Sequence, residues 1–277
     1  MPAQNENLNI VISGAGRGLG LALGQEFARR GDSLVICSRS HSSLDYALDK
    51  IRQSARRPDI VSGMPCDISS AAEVADFAAF AKAKLGHIDR WLNNAGTAGE
   101  QKRPLGELTN ADISTTCSTN LTGAMLGCAE AIRLMHQQEK HPRPRYHIFN
   151  LGFSNFGANH SRTPVPHKAS KLGVAALTKH LSRELRETGA SSIGVHEIRP
   201  GLVYTDLLLR DTPEQVKQII AILAEQPEPV ARGLAPQIRA VSGTNKVIAY
   251  RSTAAMLGRA LLSIPAIRRK SKAKSTS

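Results

Sequence analysis

Short apolar runs alternate with longer amphipathic stretches from Asn9 to about Arg199, and the two differ in period. Asn9–Ser13, Ser33–Cys37, Ile60–Pro65, Ile88–Asn93, Tyr146–Leu151 and Ile193–Ile198 have the length and composition of buried strands. Between them, apolar positions recur at helical spacing over Leu19–Arg30, Ala71–Leu85, Ile113–Gln138 and His167–Thr188. Gly31-Asp32, Gly86 and Gly189 fall where those helices should stop. Strand–helix alternation of this kind predicts the α/β class: a Rossmann-like, doubly wound parallel sheet in a single domain.

After Gly201 the rhythm changes. Leu207–Gly243 reads as helical and proline-interrupted, with a last strand expected at Lys246–Tyr250 and a terminal helix after it. A late insertion beside the strand ends predicts a substrate lid over 206–245, within a domain running 1–264. Residues 265–277 form a basic tail, read as disordered.

A chain of 277 residues can bury a large core within one domain. Its net charge of +13 favours anionic partners in general, and Arg268, Arg269, Lys270, Lys272 and Lys274 gather much of it in the tail. That tail is a solvated end or a peripheral contact with an anionic membrane surface. Aromatic residues make up only 4%, and no nucleic-acid motif is present, so nucleic acid is not expected as a partner. Cys37, Cys66, Cys117 and Cys128 lack metal or redox spacing, which predicts reduced thiols, no metal site and an intracellular protein. The polar N-terminus runs almost directly into the first strand, so no export or transit segment is read and a cytoplasmic location is expected. No apolar run is long enough to span a bilayer.

The chemistry begins at Ile10–Leu23, where Gly14, Gly18 and Gly20 join an apolar strand directly to a helix. Gly14 permits a tight turn, Gly18 lets the backbone approach a pyrophosphate, and Gly20 allows close helix–sheet packing. The helix that begins beside Leu19 turns its positive end toward the phosphate charge. A site selective for NAD places a carboxylate about twenty residues on. Here Ser38 and Arg39 stand at that point, and Arg39 with Arg17 can neutralise a 2′-phosphate, which favours NADPH over NADH.

Further motifs follow in order: PCDI with Asp67 and Ile68, WLNNAG with Asn94, Ala95 and Gly96, STN with Asn120, HKASK with Lys171, and RPGLVYT from Arg199 to Thr205. From about Asn9 to Tyr250 the chain resembles the short-chain dehydrogenase/reductase family. That resemblance implies that Asp67 and Ile68 hold the adenine and that Asn94–Gly96 line the cofactor. It also implies that the turn holding Pro200, Gly201, Val203 and Thr205 binds the carboxamide, that Lys171 binds the nicotinamide ribose, and that Asn120 holds a water behind Lys171. Relatives pair through the helices matching Ile113–Gln138 and His167–Thr188, implying a homodimer or homotetramer.

His167 stands where the family's pattern has tyrosine. Three readings stay open: His167 is the acid; Tyr204, His160 or water supplies the proton; or turnover has been lost and the chain is a non-catalytic NADP-binding sensor or pigment-binding protein. Beside Lys171 the pKa of His167 should fall, leaving a neutral imidazole with one N–H to donate. One count puts Phe153 in the place of the carbonyl-orienting serine, but a loop there can absorb an insertion, so Ser154, thirteen residues before His167, is preferred, with Ser161 as the alternative. Within the family the chain is most similar to the chlorophyll(ide) b reductase branch, in VICSRS, IDRWLNNAG, HIFN, VHEIRPGLVYTDLLL and LAEQPEPVARGLAPQIRAV. The branch implies reduction of the 7-formyl group of a chlorophyll b-like tetrapyrrole; another aldehyde or ketone is the alternative substrate.

Overall fold

The computed structural model describes residues 7–152 and 163–250. Seven parallel strands form one sheet: β1 (Asn9–Ile12), β2 (Ser33–Ser38), β3 (Val61–Pro65), β4 (Arg90–Asn93), β5 (Tyr146–Leu151), β6 (Ile193–Arg199) and β7 (Val247–Ala249), in the order β3-β2-β1-β4-β5-β6-β7. Every parallel step needs a crossover, which the helices supply: α1 (Gly18–Arg30), α2 (His41–Ser54), α3 (Ala71–Leu85), α4 (Asn110–Cys117), α5 (Gly123–His136) and α6 (Val165–Glu187), followed by α7 (Asp206–Leu209), α8 (Glu214–Leu223) and α9 (Pro227–Ala240).

Both faces of the sheet are buried, so its strands are apolar on both sides. Ile10 and Ile12 point into one core with Leu34, Ile36, Leu92 and Phe149, beneath α1, α2 and α9. Val11 points to the other, with Val35, Trp91, Ile148 and Val195, beneath α3, α5 and α6. The order of the strands reverses between β1 and β4, opening a crevice at their carboxyl ends.

Expected and observed strands agree to within two residues at most ends. Three differences matter. Helix α2 is absent from the predicted elements, although Leu44, Ala47, Leu48 and Ile51 supply a buried helical stripe and Ser40 caps its first turn. The single helix expected over Ile113–Gln138 is interrupted by a wider π turn at Ser118–Thr122, between α4 and α5.

The third difference corrects the lid expected over 206–245. Helix α9 belongs to the core: Val230, Leu234 and Ile238 are fully buried against α1, each such burial stabilising by about 1.5–3 kcal/mol. Its C-terminal carbonyls are gripped by Arg90, which is itself buried at the start of β4. The guanidinium donates to Ile238 O at 3.1 Å, Arg239 O at 2.8 Å, Arg145 O at 3.1 Å and Asp89 O at 2.9 Å. A cation at a helix C-terminus is favourable, and here it ties α9 to the sheet. Over the crevice stand α7, α8 and the turns beside them, with the first turn of α9, at Pro227 and Glu228, on its wall.

Candidate active site

A cavity of about 1640 Å³ opens where the strand order reverses, lined continuously from Arg39 through the glycine turn to His167 and on to Leu223 and Glu228. Drug-sized ligand pockets usually measure about 300–1,000 Å³, so this one has room for a dinucleotide and a second large molecule together.

At its centre the turn after β1 is held from outside. Asn94 Nδ2 donates to Ser13 O and Gly14 O, both at 3.0 Å, fixing the turn against the loop after β4. Gly14 has φ +67°, and a Cβ there would lie 2.5 Å from Ala95 Cα. A Cβ on Gly20 would lie 2.4 Å from Gly14 O, so turn and helix touch backbone to backbone. Arg17 at the N-cap of α1 provides no side-chain cap. The first amides of this helix therefore face the cavity as a group that attracts anions.

Toward one end, Ser38, Arg39 and Asp67 line the wall with Ile68. Burial pushes the Asp67 carboxyl up, but hydrogen bonds from Ser69 and the Arg39 charge outweigh it and hold the group below its ordinary range. Asp67 is therefore a charged partner for Arg39 at neutral pH. Arg17, expected beside Arg39, reaches Asp206 at the start of α7, 3.5 Å away. Both side chains are exposed, so the pair adds little stability and costs little to exchange for a phosphate. The turn from Pro200 to Thr205 lines the same wall, with Gly201 at φ +79° and the Thr205 methyl 3.1 Å from the position of a Cβ on Gly18.

The chemistry lies at the other end. Lys171 is wholly buried, its Nζ donating to Leu151 O at 2.9 Å, and burial pushes its pKa down to about 8. Gly96 makes room for it: a Cβ there would lie 3.1 Å from both Lys171 Nζ and Asn120 Oδ1. Asn120 sits in the π turn and engages the backbone of Thr97 through both its N–H and its C=O. Its Oδ1 accepts from Thr97 N at 2.8 Å, and its Nδ2 donates to Thr97 O and to Ser170 Oγ, both at 2.9 Å. This tertiary clamp is the physical reason for the wider turn, a distortion common at functional sites.

His167 lies one helical turn before Lys171, buried on the cavity wall with its Nδ1 2.8 Å from Thr97 O. Burial holds its pKa at about 4; the Thr97 contact raises it slightly, while Lys171 and Lys102 lower it further. The neutral imidazole expected from the sequence is thus present, with one correction. A carbonyl oxygen only accepts, so the single N–H of the neutral ring is on Nδ1 and is directed at Thr97 rather than at substrate.

Ser154, Ser161, His160 and Phe153 lie outside the described residues, as do residues 265–277 of the basic tail. Tyr204 lines the cavity, and its backbone N donates to Glu225 O at 2.7 Å. Sequence reasoning missed Thr97 and Lys102. Thr97 directly follows the NNAG run, and Lys102 ties its loop to the segment over the crevice, with Nζ donating to Leu208 O at 2.7 Å and to Thr212 Oγ1, and N donating to Asp211 Oδ2 at 2.6 Å. Arg210 pairs with Glu100 across the same seam at 2.5 Å.

A crossover sheet with a glycine turn at its switch point and a buried lysine on the cavity wall fits a class of dinucleotide-dependent oxidoreductases, and residues 8–216 match the short chain dehydrogenase family. The chain belongs to that family of oxidoreductases. It is 36% identical over 244 residues to chlorophyll(ide) b reductase NOL of Arabidopsis thaliana, covering 86% of this chain and 67% of that one. To the probable chlorophyll(ide) b reductase NYC1 of Oryza sativa subsp. japonica it is 36% identical over 256 residues, covering 87% of this chain and 49% of the relative. The chain thus spans between about half and two thirds of these relatives' length. In fold it is similar to a variant of actinorhodin polyketide ketoreductase solved with NADPH, with TM-score 0.71, 24% identity and coverage of 90% of this chain and 98% of that one. Among the described residues no helix is long and apolar enough to cross a membrane.

Proposed function

We propose that the protein is an NADPH-dependent carbonyl reductase whose substrate is the 7-formyl group of a chlorophyll b-type tetrapyrrole. The single observation that carries this reading is the continuous cavity, which joins a basic pocket at Arg39 to a buried Lys171–His167 pair and extends to a wall from Leu207, Leu208 and Leu223. Such a wall suits a large, flat, apolar ligand.

The residues present fit a dinucleotide. The uncapped start of α1, with Gly18, Leu19 and Gly20, would take the pyrophosphate. Arg39, with Arg17 released from Asp206, would take the 2′-phosphate and so select NADPH. Asp67 and Ile68 would hold the adenine, Asn94, Ala95 and Gly96 would line the centre, and Pro200, Gly201, Val203 and Thr205 the carboxamide. When bound, NADPH supplies the hydride. Lys171 would orient the ribose, His167 would face the substrate oxygen, and Ser154 or Ser161 would orient the carbonyl.

As in the family, α5 and α6 would form the subunit contact of a dimer or tetramer; Met125 and Leu172 are exposed on them. The tail from Arg268 to Lys274 would meet anionic lipid from a cytoplasmic position. Incubation with NADPH and chlorophyllide b, with chromatography of the pigment, should yield the 7-hydroxymethyl product. The reading fails if no product forms at any pH while NADPH binds.

A further inference from the structure

Three residues share one hydrogen-bond relay: buried Asn120 holds the backbone N–H and C=O of half-buried Thr97, and the Thr97 carbonyl meets buried His167 at Nδ1. Each contact has a forced polarity. Thr97 N can only donate, so it meets Asn120 Oδ1; this leaves Asn120 Nδ2 as the donor to Thr97 O. A carbonyl oxygen has two lone pairs, and His167 Nδ1 takes the second. The carbonyl is held in place because one side chain engages the N–H and the C=O on either side of Thr97 Cα.

We propose that this clamp holds neutral His167 in the tautomer protonated on Nδ1, with Asn120 as the positioning residue, so that Nε2 is left as a proton acceptor rather than a donor. The tautomer assignment stands on the Thr97 contact and the neutrality of the ring; its kinetic consequence rests on the reductase reading above.

The surroundings keep the ring neutral. Lys171 on the same helix and Lys102 in the loop after β4 both oppose a second positive charge. Of the carboxylates that line the same cavity, Asp67 lies at the far end beside Arg39, and Glu228 opens α9. Three others have partners elsewhere. Asp112 on α4 accepts from Glu100 N at 2.8 Å and Gln101 N at 3.2 Å, Glu100 pairs with Arg210, and Asp206 pairs with Arg17.

The proton balance follows. In the oxidative direction, Nε2 takes the hydroxyl proton of an alcohol as its C–H hydride passes to NADP⁺; the alcohol loses two electrons, the nicotinamide gains them, and the imidazolium releases its proton to water. In the reductive direction a proton must first be bound at Nε2. With the ring's pKa at about 4, about one molecule in a thousand carries that proton at pH 7. Reduction should therefore fall about tenfold per pH unit above about pH 5, while oxidation by the same site stays flat.

The test is two-bond proton–nitrogen NMR on protein labelled with ¹⁵N-histidine, with the His167 ring assigned by its loss in His167→Gln. The expected result at about pH 7 is a neutral ring protonated on Nδ1. A ring protonated on Nε2, or an even mixture, overturns the proposal. Asn120→Ala should convert the pure tautomer into a mixture. Asn120→Asp keeps the acceptor on Thr97 N, removes the donor and adds a charge, so it should raise the His167 titration and carry the reduction profile with it. If neither variant moves the ring, Asn120 has no positioning role. Rates measured in both directions, with chlorophyllide b and with its 7-hydroxymethyl product, should diverge with pH as stated; parallel profiles overturn the acceptor role. Absence of turnover in either direction with the Nδ1 tautomer intact sinks the reductase reading and leaves the tautomer standing.

Discussion

Acid should unfold this protein through its buried histidines, and the size of the effect can be worked out. His147 and His196 lie side by side on β5 and β6, with His147 Nδ1 2.9 Å from His196 Nε2. Both are almost fully buried. Burial first, and then the positive charge of Arg90, push His147 down to about 2 and His196 to about 3, and His167 sits at about 4. In the unfolded chain a histidine titrates near 6.5. The unfolded state therefore binds more protons below that value, so stability is complete above pH 6.5 and is lost as the pH falls toward the folded values. Between about pH 7.5 and pH 5 each ring costs about 2 kcal/mol, about 6 kcal/mol for the three. Since domains are typically stable by about 5–15 kcal/mol, that loss is a large fraction of the total. Asp32, whose buried carboxyl is raised, works in the opposite sense, and Asp32→Asn isolates it. Urea unfolding across this pH range should give a slope near pH 6 equivalent to uptake of about two protons. The double variant His147→Gln/His196→Gln should cut the slope to about a third. A slope below one proton in the wild type would refute the reasoning.

Three further outcomes follow from the same contacts. Arg39→Asp should raise KM for NADPH at least about tenfold and improve use of NADH, since it would replace the guanidinium proposed to face the 2′-phosphate by a repelling carboxylate; unchanged cofactor preference in steady-state kinetics would remove Arg39 from the site. Arg90→Met should destabilise by about 3–5 kcal/mol in urea unfolding, because four buried or half-buried contacts to carbonyls are lost and only Asp89 O keeps another donor, His147 N; a loss under about 1 kcal/mol would mean that α9 is held by apolar packing alone. Lys102→Ala should weaken carbonyl-substrate binding several-fold while leaving NADPH affinity unchanged, because it frees the loop after β4 from Leu208 and Thr212; equal effects on both ligands in titration calorimetry would contradict that separation.

What can be read in advance is local in origin. Parallel strands announce themselves as apolar runs, and the Ile10–Leu23 glycine turn carries its own reason in its spacing. Helix α2 is legible too: Leu44, Ala47, Leu48 and Ile51 have the spacing, and Ser40 the cap, but the polar residues between them hide the stripe. The π turn cannot be read, since Asn120 is pulled into place by Thr97, 23 residues away. Helix α9 reads as a lid because three prolines suggest irregular chain; Pro227 opens it, Pro229 falls within its first turn, where its missing N–H is no loss, and Pro236 is accommodated further on. The tautomer of His167 depends on a carbonyl 70 residues away in sequence, so identity alone leaves open which nitrogen carries the proton.

The grip of Arg90 on α9 also bears on how the fold can change. With the far end of α9 secured to β4 and its near end joined to the Pro200–Thr205 turn through the Val203–Glu225 bridge, the chain between 206 and 224 is a loop with two fixed posts. Residues there line the cavity and meet the loop after β4, while the sheet's stability is set elsewhere. New substrates can therefore be tried by exchanging the stretch between Leu207 and Leu223 while Lys102, whose charge bears on His167, and Asp206, which pairs with Arg17, are kept.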